Sequence, residues 1–152
     1  MEYIIEAETK ASREEAWKFL TDFPSYPEWN SVLEMRKNDN LEVGKFFHVT
    51  IHHNGEISKF RAMTLYVKDN DSFAAEQRIL GKWFFSAIHH FIITEKNNRI
   101  VLVQRWELKG IIARLFRKRI FKLLDEFKKM NREFVAELDE QHRMVQMAEV
   151  IV

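Results

Sequence analysis

His89 is the residue of this chain best equipped for chemistry. It sits in the run Phe85-Ser86-Ala87-Ile88-His89-His90-Phe91-Ile92-Ile93, on the same side of the alternation as Phe85, Ala87, Phe91 and Ile93. Burial among such residues disfavours the imidazolium, and a neutral imidazole offers one donor and one acceptor. Such a ring can orient a polar group or move a proton. Gln77 and Gln104 hold comparable positions in their own runs. A few uncharged tips in an apolar enclosure are what a small-molecule site uses to fix orientation. A plainer role is also open. His89 and Gln104, diagonal neighbours across a hairpin, can satisfy each other.

Other chemistries lack their parts. His48 and His52 lie four strand steps apart, roughly 13 Å, too far for one ion. His52-His53 and His89-His90 point to opposite faces of their strands, so no metal site is expected. His48, His52 and His90 read as solvated surface histidines. With no Cys there is no thiolate nucleophile or disulfide, which fits a reducing, cytoplasmic setting. The glycines at 44, 55, 81 and 110 are too scattered for a phosphate-cradling loop, and no Gly-x-Ser-x-Gly elbow occurs. No cofactor is expected, and hydrolase and oxidoreductase readings have little to stand on. A net charge of +1 argues against a general nucleic-acid binder. No run reaches the ~20 apolar residues that span a bilayer, and Met1–Glu6 does not open a signal peptide.

The elements that would position His89 follow from periodicity and turns. Residues 2–9 alternate as a first strand, and 13–21 fit a helix. Ser12 with Glu15 forms a capping box before it. Ser25 with Glu28 repeats that spacing around Pro27, which places a second short helix ahead of a buried Trp29. Asn54-Gly55 is a strong two-residue hairpin signal. It sets His53 opposite Glu56, Val49 opposite Phe60 and Phe47 opposite Ala62. That face points inward, because the other carries Lys59 and Arg61. Continuing through the Asn70-Asp71 turn brings Thr64 and Tyr66 inward with Ala75, Gln77 and Ile79. A turn at Asn97-Asn98 pairs Phe91 with Gln104 and His89 with Trp106, and extends the inner face back to Trp83. From Gly110 the period lengthens: Phe116, Ile120, Leu123, Phe127, Met130, Phe134 and Leu138 mark one face of a helix from Ile111 to Gln141. Residues 1–152 read as one domain, with 142–152 as an apolar tail.

The opening segment Lys10–Asp22, with Tyr26-Pro27-Glu28-Trp29-Asn30, resembles the polyketide cyclase/dehydrase-like branch of the START-type superfamily, the SRPBCC domains. Glu42-Val43-Gly44-Lys45 matches a glycine before a strand. His89-x-Phe91-x-Ile93, Val103-Gln104 and Leu108-x-Gly110-Ile111-Ile112 are similar to the closing hairpin and the start of the long helix. The resemblance implies an α+β helix-grip fold. Its parts would be a curved antiparallel sheet of about six or seven strands, two short helices after the first, and a long C-terminal helix. It implies a container for an apolar molecule and brings no shared catalytic set. It does add weight to His89, whose position lies beside the pocket in such folds.

The leading reading is non-covalent binding, transport or sensing of a hydrophobic small molecule. Thirteen Phe and four Trp provide rings enough for its walls. Phe47, Phe60, Tyr66, Trp83, Phe91 and Trp106 would supply contact area on the sheet; Thr64, Gln77, His89 and Gln104 would supply polar contacts. The enzymatic alternative is a cyclase or dehydratase with His89 as acid–base residue. A third reading uses the basic stretch Arg114, Arg117, Lys118, Arg119, Lys122, Lys128 and Lys129 as a peripheral membrane or interaction surface. The apolar tail could then pack on a neighbouring subunit in a homodimer.

Overall fold

The computed structural model describes residues 1–151. Seven strands form one curved antiparallel sheet in the order β1-β7-β6-β5-β4-β3-β2. They are β1 (Glu2–Thr9), β2 (Leu33–Met35), β3 (Phe46–His53), β4 (Glu56–Lys68), β5 (Ser72–Ile79), β6 (Phe85–Lys96) and β7 (Arg99–Lys109). Helix α1 (Arg13–Thr21), a 3-10 turn (Phe23–Ser25) and α2 (Tyr26–Trp29) follow β1. The chain closes with α3 (Ile111–Leu115), α4 (Arg117–Asp125) and α5 (Phe127–Ile151) against the concave face. The helix-grip arrangement expected from the sequence is the one observed.

Turn chemistry explains why the hairpin registers hold. Asn54 and Gly55 take φ of 47° and 79°, and Asn97 and Asn98 take 53° and 61°. Positive φ at both central residues is the two-residue turn whose twist suits a hairpin. His53 therefore faces Glu56 and Val49 faces Phe60, while His89 faces Trp106 and Phe91 faces Gln104.

Two expected inward residues are not inward. The β4–β5 register shifts between Thr64 and Tyr66. The extra residue reverses the alternation, so Val67 joins the core and Tyr66 turns to the convex face. Trp83 lies in the turn before β6 rather than on it. Leu80 and Gly81 take φ of 51° and 92°, and the amides of Phe84 and Phe85 donate to the Gly81 carbonyl.

The N-terminal segment mixes confirmation with correction. The Ser12–Glu15 capping box forms in both directions. Ser25 makes no such cap; its hydroxyl donates to Asp22 O at 2.8 Å and accepts from Trp29 Nε1 at 3.3 Å. Tyr26, not the half-buried Trp29, is the fully enclosed ring here.

The C-terminal helix is in three pieces, with breaks at Phe116 and Glu126. It also runs beyond the expected end. Residues 142–151 of the expected tail continue α5 as helix, with Met144, Val145, Met147, Val150 and Ile151 exposed; Val152 lies outside the described residues. Asp139 anchors α5 to the end of β1, accepting from Thr9 Oγ1 at 2.5 Å and Lys10 N at 2.8 Å. His142 Nδ1 meets Glu15 Oε2 at 2.7 Å.

Candidate functional site

The concave face has a filled end and a hollow one. At the filled end α5 lays Phe134 against Phe19 and Trp29, with ring centroids 5.2 and 5.7 Å apart. Phe23, Tyr26 and Phe73 close that cluster. Toward α3 and α4 the sheet carries Ala62, Ala75 and Ala87 on three adjacent strands. A floor of methyl groups does not reach the helices above it. A cavity of about 350 Å³ remains between them. Phe60, Phe91 and Trp106 wall it from the sheet, and Ile112, Phe116 and Phe127 from the helices. The size falls within the range of small-molecule pockets. The cavity reaches the surface, since Ile79 and Phe116 line it and are also exposed.

Among the described residues, three polar side chains line this cavity: Ser58, Gln77 and His89. His89 is held by three rings and one hydrogen bond. Its ring stacks on Trp106 at 4.1 Å and lies 4.0 Å from Phe91, with Phe127 edge-on at 5.4 Å. Its Nε2 donates to Gln104 Oε1 at 2.9 Å. The Gln104 amide in turn donates to Asn131 Oδ1 at 2.6 Å. This chain of bonds fixes the tautomer and leaves His89 Nδ1 as the free acceptor. Burial pushes the His89 pKa down to about 3, against a smaller upward pull from the Gln104 bond. The surface His89 retains faces the cavity, so the ring is neutral across the physiological range.

The remaining candidates divide clearly. Phe47, Phe60, Gln77, His89, Phe91 and Trp106 come together around the cavity. Gln104 is fully buried beneath it, spent on His89 and Asn131. Thr64 points inward but is sealed, with its hydroxyl unpartnered and outside the lining. Tyr66 binds His90 Nδ1 at 2.9 Å on the opposite face. Trp83 is 67% exposed in its turn. His90, expected in solvent, is buried between Tyr66 and Glu107, with Nε2 3.1 Å from Glu107 Oε2. That bond holds the Glu107 carboxyl below its ordinary value.

Sequence reasoning does not find two contributors. Ser58 follows the Asn54-Gly55 turn closely and is hidden among exposed neighbours. Asn131 interrupts the apolar face between Phe127 and Phe134, and that interruption is the signal that could have found it. Among the described residues no cluster of three metal-binding side chains forms. None of their helices is long and apolar enough to cross a membrane.

Neither a family model nor a curated protein matches this chain. Solved structures do. The di-domain ARO/CYC protein StfQ from the steffimycin biosynthetic pathway aligns over 93% of this chain, with a TM-score of 0.70 and 17% identity. The match covers 52% of StfQ, so the chain spans about half of that protein's length. TTHA0849 from Thermus thermophilus aligns over 96% of this chain and 99% of its own, with a TM-score of 0.65 and 14% identity. Ara h 8.0201 aligns over 91% and 97%, with a TM-score of 0.65 and 6% identity. At such identities the likeness is one of fold. The chain shares the fold of these structures, the helix-grip arrangement expected from its sequence.

Proposed function

We propose that this chain binds an apolar small molecule non-covalently in the cavity between sheet and helices. The observation that carries the reading is the unfilled space above Ala62, Ala75 and Ala87, walled by rings and open to the surface. Apolar contact supplies the affinity. Gln77, Ser58 and the free Nδ1 of His89 orient a polar end that donates a hydrogen bond, such as a hydroxyl or a protonated acid. An ionised head group fits poorly there, because the described residues of the cavity wall include no cation to meet it. A fold neighbour that is an ARO/CYC protein of the steffimycin biosynthetic pathway keeps ring-bearing molecules among those to try, alongside acyl lipids.

A cyclase or dehydratase role draws less support. A general base works best with a pKa near the operating pH, and burial leaves His89 a far weaker base than that. Positioning is what the ring is built for. Native mass spectrometry of the full chain, followed by solvent extraction, tests the reading. The expected result is a retained apolar adduct released on unfolding. An empty protein that takes up neither fatty acids nor aromatic polyketides when offered them would refute it.

A further inference from the structure

We propose that the rim of the cavity is a docking surface for bilayers containing anionic lipid. The loop before β6 and α3 meet there and are fastened together. Ile111 N donates to Trp83 O at 3.0 Å, and Ile112 N donates to Phe84 O at 3.1 Å. At Gly110 (φ +103°) a Cβ would stand 2.4 Å from Phe84 O, so the approach requires glycine. The junction sets Leu80 and Trp83, 73% and 67% exposed, alongside Ile111, Leu115 and Phe116, all exposed. A single surface apolar residue needs no explanation; five gathered where this loop meets α3 do. Phe116 is also part of the cavity wall, so the patch is continuous with the mouth.

Along its helical side the charge beside this patch is of one sign. From Lys109 to Leu124 the chain carries six cations and no carboxylate. These are Lys109, Arg114, Arg117, Lys118, Arg119 and Lys122, all exposed, and Lys82 adds another from the facing turn. The ion pairs of the described residues engage other cations and none of these seven. Three of them occupy the first turn of α4, where the helix dipole disfavours positive charge. An anionic surface would relieve that arrangement. A nucleic acid would offer phosphates but no apolar layer for Leu80, Trp83 and Leu115. An anionic bilayer offers both, with Trp favoured at its interface. Docking there would open the cavity toward the acyl chains.

The surface stands independently of what fills the cavity, and its test is separate. The full chain is floated with phosphatidylcholine vesicles with and without phosphatidylserine, at low and high salt. The expected result is partition onto the phosphatidylserine vesicles alone, lost at high salt. Arg117→Glu with Lys118→Glu should lower the partition coefficient by roughly fivefold or more per cation removed. Trp83→Ser with Leu115→Ser should lower it at unchanged charge. Uptake of an uncharged apolar dye by the cavity should persist in both variants. No partition at low salt would overturn the proposal, as would partition indifferent to either variant. Concentration-dependent self-association abolished by Trp83→Ser with Leu115→Ser would also overturn it, by assigning the patch to a second copy.

Discussion

The two ends of the concave face share one sheet and one run of helices, yet one is solid and the other hollow. At the solid end Phe19, Trp29 and Phe134 meet at ring-contact distances, with Phe23 and Phe73 edge to face. At the hollow end the facing positions on the sheet are Ala62, Ala75 and Ala87, and the helix above is broken at Phe116 and Glu126. Abundant aromatic residues do not decide whether such a fold is filled. The placement of small residues opposite them does. Packing at one end supplies the stability that lets the other stay open.

Core truncation should separate the two ends most sharply. Phe134→Ala at the solid end should cost about 4 kcal/mol in urea denaturation, the range for a fully enclosed ring. Equal losses at both ends would mean the hollow end is packed after all. Next comes Gln104→Leu, which strips the partner from His89 Nε2 and from Asn131. Leaving both buried without a partner should cost about 3 kcal/mol, and a loss under about 1 kcal/mol would show that the network carries little.

The pH dependence is smaller. Below about pH 6.5 the unfolded chain takes up a proton at His89, whereas the native ring resists it down to about 3. Stability therefore falls as pH drops through that window, by about 2 kcal/mol at about pH 5 from this residue. His89→Gln should flatten that slope, and an unchanged slope would place the titration elsewhere. Smallest is Phe60→Ala at the partly open rim, about 1 kcal/mol.

Much of this is legible in the chain. The Asn54-Gly55 and Asn97-Asn98 turns announce left-handed backbone, and with it the inward placement of Phe47 and Val49 on β3, of His89 and Phe91 on β6 and of Trp106 on β7. Alternation alone misplaces Tyr66, because the bulge at the middle of β4 leaves no mark in residue type. It misplaces Trp83 because Leu80, a residue with no preference for positive φ, takes one and delays the start of β6. The hollow itself is not legible. It depends on three alanines of separate strands falling beneath the same stretch of helix, a coincidence of tertiary structure. His90 illustrates the same limit: its alternation is right, but its burial needs Tyr66 turned outward beside it.

Filling the hollow tests the central claim most directly. Ala87→Trp places an indole above the floor without touching the solid end. Titration with the uncharged fluorophore N-phenyl-1-naphthylamine should give saturable single-site binding to the unaltered chain. The filled variant should bind at least about tenfold more weakly with its thermal midpoint kept, the loss of about 1.4 kcal/mol of apolar contact. Binding undiminished in Ala87→Trp, with the variant folded, would contradict a ligand site in this cavity.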